Sequence, residues 1–283
     1  AVLSKIVDLS EDELNNELQE LISMRLIDEV VSDWGFSYSI NNVELKRLIY
    51  YRIPLDERTE LHRKISQVLE ESYKGDYEII MEELLYHLVH SDQTEKALDI
   101  LIKEATAEHS IYSTRSLFLW EEAYELSKNS DTMYKINILE ALGNIYLMRG
   151  EFDKGLKIYE ELYYESIKVN KLEYSAVAKL GIGEILLQRG QLKLASERAI
   201  EAFKISDSIG DTIGVIKSKI LYCKVLLDNN KLDELELKLK DLIDYSSKNK
   251  FYDAFGDIYN LIGLCEYFRG NLESAIENYK ISV

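Results

Sequence analysis

A turn-forming pair of residues returns four times in the second half of the sequence, and each copy ends an apolar helical stretch. Each copy follows the previous one by 40 residues: Arg149-Gly150, Arg189-Gly190, Asn229-Asn230 and Arg269-Gly270. A constant period of this length is typical of stacked structural repeats, in which each unit packs mainly on its neighbours. The sequence therefore predicts an array of α-helical hairpins over residues 131–283.

The residues around the four turns also repeat in kind. Seven positions before the second turn residue, the chain carries a small residue: Gly143, Gly183, Cys223 or Gly263. Two positions after it stands a large apolar residue: Phe152, Leu192, Leu232 or Leu272. Five positions after it the residue is mostly small: Gly155, Ala195, Leu235 or Ala275. Small residues at fixed helical positions allow two helices to approach closely. Because Cys223 and Leu235 are the largest residues in the two small series, we expect looser or shifted packing in the third unit.

Two segments resemble the tetratricopeptide repeat closely. They are residues 141–156, ALGNIYLMRGEFDKGL, and residues 261–276, LIGLCEYFRGNLESAI. The 40-residue spacing exceeds the usual repeat of about 34 residues, so we expect longer helices, longer turns or both. The resemblance implies an all-α, right-handed superhelix of helical hairpins in which the first helix of each pair lines a concave face.

Composition limits the classes of partner. The chain has 283 residues and a formal net charge of −17, which disfavours binding to nucleic acid or to an anionic membrane surface. No apolar run approaches the roughly 18 residues that span a bilayer, and no signal-peptide pattern opens the chain. Cys223 and Cys265 are the only cysteines, and we expect both to be buried free thiols in a cytoplasmic protein. Both ends of the sequence suggest a fragment of a longer protein.

The N-terminal region, residues 1–53, predicts a small winged-helix-like module. Ser10 and Glu13 form a capping-box pattern ahead of an amphipathic helix. Residues 26–31 and 36–40 then predict two strands around a turn at Asp33-Trp34-Gly35. The helix before this hairpin is strongly acidic, so we expect it to pack within the protein and not to bind DNA.

Residues 54–130 predict a helical linker with degenerate repeats. A helix at 41–51 leads to Pro54, which restarts the chain. Amphipathic patterns then predict the helices of the linker: 56–73, 78–90, 94–109 and 114–128.

The order of these parts resembles the region that follows the nucleotide-binding domain in signal transduction ATPases with numerous domains, or STAND proteins. The matching segments are loose in sequence: 14–27, 38–49, 58–65 and 87–105. The chain differs at Tyr38-Ser39-Ile40-Asn41, where the family often has a His. The resemblance implies a tetratricopeptide sensor arm and an upstream NTPase domain of the same protein as a partner.

Motifs for catalysis are not found. Gly150 to Lys157 misses the phosphate-binding loop pattern, because Leu156 stands where the Lys is required. Neither a Ser/His/Asp nor a Cys/His grouping is visible, so we expect no catalytic residues, no cofactor and no metal site. Glu83, His87 and His90 are spaced so that they could chelate zinc on one helix, which leaves a helical metalloprotein as an alternative.

The predicted functional surface is the concave face of the array. We assign the concave-face positions of tetratricopeptide arrays to the equivalent positions of each predicted repeat. These positions hold a mixture of amides, apolar groups and charges of both signs. The candidate binding residues are Asn137, Glu140, Asn144, Met148, Leu180, Glu184, Gln188, Lys217, Lys224, Asp228, Asp257, Asn260, Leu264 and Tyr267. Such a mixture suits a peptide backbone or a small polar effector, although a merely solvated groove would present the same residues.

The sequence thus predicts a non-enzymatic sensor or protein-interaction arm of a nucleotide-regulated bacterial signalling or transcriptional regulator. Its expected partner is a protein, a peptide or a small-molecule effector. The alternative in the same class is a regulator like the tetratricopeptide peptide-pheromone receptors, to whose ligands Asn144 and Asn260 would supply backbone hydrogen bonds.

Overall fold

The computed structural model describes residues 2–7, 9–32, 35–73, 79–108, 113–128 and 132–282. These residues are almost entirely helical apart from one β-hairpin. Contacts along the chain divide it into two compact units, residues 1–100 and residues 101–283. The predicted turn at Asp33 and Trp34 and the predicted helix limits at Glu78 and His109 lie outside the described ranges.

The first unit contains the N-terminal helices and the hairpin. Its elements are α1 (Val2–Ile6), α2 (Glu11–Ser23), β1 (Ile27–Ser32), β2 (Gly35–Ile40), α3 (Val43–Arg52), α4 (Leu55–Tyr73), α5 (Met81–His90) and the start of α6 (Thr94–Ala107). The predicted capping box at Ser10 and Glu13 is confirmed, with each side chain bonded to the other residue's backbone. The strands β1 and β2 pair antiparallel, with Ile27 opposite Ile40. The helix-then-hairpin order is as predicted, while the winged-helix assignment stays a prediction.

The second unit continues with helices of nearly uniform length. They are α7 (Thr114–Ser127), α8 (Thr132–Met148), α9 (Phe152–Lys168), α10 (Leu172–Gln188), α11 (Leu192–Ser208), α12 (Thr212–Asp228), α13 (Leu232–Lys248), α14 (Phe255–Phe268) and α15 (Leu272–Ser282). A short 3-10 turn, Tyr252–Ala254, precedes α14. Since α8, α10, α12 and α14 end 40 residues apart, the four predicted hairpins are confirmed in their predicted register.

Each of the four predicted turns adopts the same helix-ending geometry. Gly150, Gly190 and Gly270 have φ of 74°, 69° and 86°, and Asn230 has a φ of 56°. Glycine reaches this left-handed region without the steric cost of a Cβ, and Asn tolerates it better than most residues. In every case the next residue donates its N–H to the carbonyl five positions earlier, as Glu151 does to Tyr146 at 2.9 Å.

A second series of turns joins one hairpin to the next, and the sequence analysis missed it. Asn170, Gly210 and Lys250 also lie 40 residues apart and have φ of 56°, 70° and 56°. The residue four positions before each of them is a fully buried serine: Ser166, Ser206 or Ser246. Its carbonyl accepts the turn hydrogen bond from the residue that follows the turn. The three joints between consecutive hairpins therefore keep the same 40-residue register as the turns within the hairpins.

At two of the three junctions between consecutive hairpins, an ion pair links residues at the same register positions. Arg189 donates to Asp153 at 2.6 Å, and Arg269 donates to Asp233 at 2.7 Å. The middle junction has Asn229 in place of the arginine, and the acidic position is Lys193. Exposed pairs of this kind contribute little to stability, but they mark the stacking register of neighbouring hairpins.

Packing inside the hairpins follows the small positions, with the predicted exception in the third unit. Gly143 and Gly263 lie against the rings of Tyr159 and Tyr279, where a Cβ would come within 2.6 Å of a ring carbon in both cases. Helix α12 packs less extensively on α13 than the partners do in the other three hairpins. Cys223 and Leu235 are nevertheless fully buried, so the third unit differs by a shift of its two helices, which is one of the two expected outcomes, and not by a gap at these side chains.

Candidate functional site

The first helices of the four hairpins share one open cavity. Side chains of α8, α10, α12 and α14, with one tyrosine from α9, enclose a volume of about 280 Å³. We call this cavity the α8–α14 groove; its lining is Glu140, Asn144, Leu147, Tyr159, Val177, Leu180, Gly181, Glu184, Lys217, Ile220, Lys224 and Asp257. The groove therefore draws on every hairpin of the array.

Half of the predicted binding residues meet in this groove. The members that the structure brings together are Glu140, Asn144, Leu180, Glu184, Lys217, Lys224 and Asp257. They occupy three helical positions, 13, 10 and 6 residues before the closing turn residue of their own unit. These positions fall on one helix face because they are three and four residues apart.

The other predicted residues lie outside the groove lining. Asn137 is exposed, and its side-chain oxygen accepts a hydrogen bond from the Tyr174 hydroxyl at 3.0 Å. Met148 lines a separate cavity of about 230 Å³, beside Trp120 and Asn144. The remaining four polar or aromatic candidates are exposed: Gln188, Asp228, Asn260 and Tyr267. Leu264 is half-buried within the apolar core of the last two units. A ligand role for these residues stays a prediction.

Tyr159 is the principal groove residue that the sequence analysis did not select. Its side chain is 1% exposed, and its hydroxyl donates to the Asn144 side-chain oxygen at 2.8 Å. Burial raises the pKa of the phenol, and the nearby carboxylates of Glu140 and Glu184 add to that shift. The ring fills the space between Gly143 and Gly181, so it fixes the spacing of α8 and α10 beneath the groove. The pairing of a Tyr with a Gly 16 positions earlier, seen also at Tyr279 and Gly263, was the available signal.

The charges of the groove are unequally satisfied. Lys224 donates to Glu184 at 2.9 Å, and both residues hold the same register position in consecutive units. Glu140 is half-buried, and burial raises the pKa of its carboxyl although the charge of Lys217 partly opposes the shift. Lys217 and Asp257 are exposed. With three acids and two lysines, the groove carries one net negative charge.

A second cavity, of about 370 Å³, lies between α11, α12 and α13, and no sequence pattern predicted it. Ile200 and Phe203 form part of its apolar lining, and Lys238 and Asp241 belong to its polar lining. Lys219 also lines it and lies 4.1 Å from the centre of the Tyr245 ring. Two of the three helices that line this cavity, α12 and α13, form the third hairpin.

In the first unit, three histidines come together across α4 and α5. His62 Nδ1 and His87 Nδ1 share a hydrogen bond of 2.8 Å, and His62 Nε2 pairs with the Tyr50 hydroxyl at 2.9 Å. His90 bonds the carbonyl of Tyr86 at 2.8 Å and stacks near His62. Glu83 is exposed. Within the described ranges, no group of three or more His, Cys, Asp or Glu side chains is arranged to hold a metal ion.

No protein-family model and no curated protein matches the sequence. Solved structures do match the fold. The structure of BtubC (BKLC) from P. vanneervenii is 15% identical, with a TM-score of 0.50, over 81% of this chain and 89% of that one. Aspartyl phosphate phosphatase F from Bacillus subtilis is 14% identical, with a TM-score of 0.58, over 83% of this chain and 63% of that one.

A third match is a STAND protein with a tetratricopeptide repeat sensor from Pyrococcus horikoshii. It is 13% identical, with a TM-score of 0.56, over 84% of this chain and 40% of that one. This chain thus spans less than two thirds of the length of the second and third of these proteins. Together the matches and the helical hairpins define the class of protein: an all-α array of tetratricopeptide-like repeats. Across the described helices, none is both long and apolar enough to cross a membrane.

Proposed function

We propose that this chain is a non-catalytic sensor arm that binds an extended peptide or protein segment in the α8–α14 groove. One observation carries the proposal: polar side chains predicted from the repeat register converge from four consecutive hairpins on one open cavity. Ligand sites are concave, and a few placed polar groups fix the orientation of the ligand.

The amide of Asn144 supports an extended peptide as the ligand. Its side-chain oxygen accepts a hydrogen bond from the Tyr159 hydroxyl, so the side-chain NH₂ group is the part of this groove residue that can donate to a ligand. An amide held in this way donates to a carbonyl oxygen, which a peptide backbone offers at every residue. Lys217 and Asp257 stand exposed further along the groove and would contact charged side chains of the same segment.

The wider role that we propose is the effector-sensing arm of a nucleotide-regulated, cytoplasmic signalling or transcriptional regulator. The likeness of the fold to a STAND protein with a tetratricopeptide sensor supports this proposal. The two buried free thiols are in keeping with a reducing compartment. In such a regulator the bound effector would favour one arrangement of the arm relative to an upstream NTPase domain, because a ligand shifts an equilibrium toward the state that it binds better.

A peptide-pheromone type of receptor remains the alternative, and Asn144 favours it for the same reason. The two candidates differ in the downstream partner and not in the groove chemistry. The metalloprotein alternative gains no support from the described side chains, since His87 pairs with His62 and Glu83 is exposed.

The groove proposal is tested by panning a random dodecapeptide phage library on the full chain. We expect selected peptides to bind the unmodified protein and to lose about tenfold or more in affinity when Lys217 is changed to Glu. The matched control is Lys204→Glu, an exposed lysine of α11 outside the groove lining, which should leave the affinity unchanged. If the selected peptides bind the Lys217→Glu and Lys204→Glu variants equally well, the binding surface lies outside the α8–α14 groove.

A further inference from the structure

Glu140 is the partly buried charged residue of the α8–α14 groove that lacks a hydrogen-bond or ion-pair partner among the described residues. Its carboxylate is half-buried in α8, yet no described residue donates a hydrogen bond to it or forms an ion pair with it. The other partly buried charges of the groove, Glu184 and Lys224, neutralise each other at 2.9 Å. Removing a carboxylate from water without giving it a partner is unfavourable, so a ligand group that pairs with Glu140 would relieve that cost.

Two tyrosine hydroxyls lie near Glu140 and are both committed to other acceptors. The charge of Glu140 raises the pKa of Tyr159 and of Tyr174, although burial is the larger cause at each phenol. Tyr159 nevertheless donates to Asn144 at 2.8 Å, and Tyr174 donates to Asn137 at 3.0 Å. Both tyrosine hydroxyls therefore donate to an asparagine side-chain oxygen and not to the Glu140 carboxylate.

Lys217 does not neutralise Glu140 directly. It acts on the carboxylate only through its charge, and its own side chain is exposed. The other groove charges, on Glu184, Asp257, Lys217 and Lys224, sum to zero. Glu140 therefore accounts for the net negative charge of the cavity, which attracts a cation.

We propose that Glu140 recognises a hydrogen-bond-donating cation of the bound peptide, either a Lys or Arg side chain or a free N-terminal ammonium. This inference rests on the proposed peptide binding in the α8–α14 groove and specifies the chemistry of the peptide. The cation docks against the Glu140 carboxylate. Asn144 orients the neighbouring backbone, and Lys217 and Asp257 contact charges further along.

The test uses positional-scanning decapeptide libraries with the full chain, read by fluorescence polarisation. One library has acetylated N-termini and fixes Lys, Arg, Gln or Leu at one position, and its twin has free N-termini. We expect tight binding from fixed Lys or Arg in the first library, or from the free amine in the second, which distinguishes the two sources of charge. Glu140→Gln should weaken the binding of those cationic peptides by about ten- to a hundredfold.

Two controls separate recognition from a structural role. Glu160→Gln makes the same change on an exposed glutamate of α9 outside the groove lining, and it should not alter affinity. Glu140→Gln should leave the melting temperature unchanged or raise it, because it removes an unpaired charge from a partly buried site. A lowered melting temperature would mean that Glu140 stabilises the fold, and it would overturn the proposal.

The outcomes also distinguish this inference from the proposed function. If library peptides bind in a manner sensitive to Lys217→Glu but indifferent to Glu140→Gln, the groove binds peptides and the cation assignment is wrong. The cation assignment is also wrong if, among acetylated peptides, Gln and Leu bind as tightly as Lys and Arg and a free N-terminus adds no affinity. If no library binds at all, both proposals fail.

Discussion

The ring of Tyr159 lies so close to the backbone of Gly181 that a Cβ built on the glycine would meet ring carbon Cζ at 2.2 Å. This contact joins the second helix of the first hairpin to the first helix of the next. One unit further on, the corresponding pair is Ala199 and Leu221, in which the large residue has moved to the other helix. Leu221 lies against Gly183 in that unit. The large residue therefore comes from different helices at these two junctions, whereas the third junction has a leucine at both positions, Leu239 and Leu261.

We expect Gly181→Ala to destabilise the protein by about 1–3 kcal/mol, the usual cost of overpacking a core. At an uncrowded helical position the same change would stabilise by up to about 1 kcal/mol. The measurement is urea unfolding of both single variants and of the double variant with Tyr159→Ala. In the Tyr159→Ala background, Gly181→Ala should become neutral or stabilising. Additive effects of the two changes would contradict the contact.

Leu235 replaces the small residue of its register position and fills the third hairpin. It is 0% exposed and belongs to the apolar core between α12 and α14. Leu235→Ala restores the residue that stands at this position in the second and fourth units, yet we expect it to cost about 2–5 kcal/mol because it leaves a cavity. Leu237→Ala, two residues along and 60% exposed, is the matched control and should change stability by less than about 0.5 kcal/mol. A stabilising Leu235→Ala would show that the repeat pattern outweighs local packing.

The repeat architecture was predictable because its signal is local. Gly150, Gly190 and Gly270 end helices through their own backbone freedom, so the sequence alone reveals the register. The joints at Asn170, Gly210 and Lys250 adopt the same geometry but use three chemically different residues, so the joint residues themselves do not repeat. Their shared feature is a buried serine four residues earlier, which becomes meaningful only when burial is known.

The groove was predictable to the extent that it depends on one helix face. Glu140, Glu184 and Lys224 follow from register alone. Gln188 and Tyr267 were selected by the same rule but lie in the last turns of their helices, where they are exposed. Tyr159 could not be selected by that rule, because it enters the groove from a second helix through the gap left by Gly143 and Gly181. Contacts between hairpins depend on stacking geometry, which a period does not specify.

Two of the buried serines before the joints, Ser166 and Ser206, should differ in how much stability is lost on substitution by alanine. Ser166 shares a hydrogen bond of 2.7 Å with Ser175, whereas the buried Ser206 hydroxyl has no hydrogen-bond partner among the described residues. Ser166→Ala should destabilise by about 1 kcal/mol, since it removes a bond and leaves Ser175 with one partner fewer. Ser206→Ala removes an unsatisfied group and should be neutral or slightly stabilising. Urea unfolding decides, and equal losses at both sites would mean that the Ser206 hydroxyl is satisfied in solution.

The two cysteines should resist thiol reagents in the folded protein. Cys223 is 1% exposed, and burial raises the pKa of its thiol to about 12. Cys265 is 2% exposed, and burial raises the pKa of its thiol as well. Because the thiolate is the reactive form, Ellman's reagent at pH 8 should react slowly with the native chain and rapidly with both thiols in urea. Fast reaction of one thiol in the native protein would show that the helices around it open readily.

The histidine pair of the first unit makes stability depend on pH below neutrality. Burial lowers the pKa of His87 to about 4, with a further contribution from the charges of His62 and His90. Burial also lowers the pKa of His62, and the charges of His90 and Arg58 act in the same direction. An unfolded histidine has a pKa of about 6.5, so between pH 6.5 and 4 the unfolded chain binds more protons than the folded one. The stabilisation is complete above pH 6.5 and is lost progressively as the pH falls toward 4.

We expect this effect to reach about 1–3 kcal/mol at most for His87, because the side chain is partly exposed. His87→Gln cannot be protonated in this range, so the difference in unfolding free energy between wild type and this variant should shrink as the pH falls from 7 to 4.5. Acid titration of carboxylates is common to both proteins and cancels in that difference. Proton NMR of the wild-type imidazoles supplies an independent measure. A His87 resonance that titrates near pH 6.5 in the folded protein would mean that the His62–His87 hydrogen bond does not hold this ring neutral.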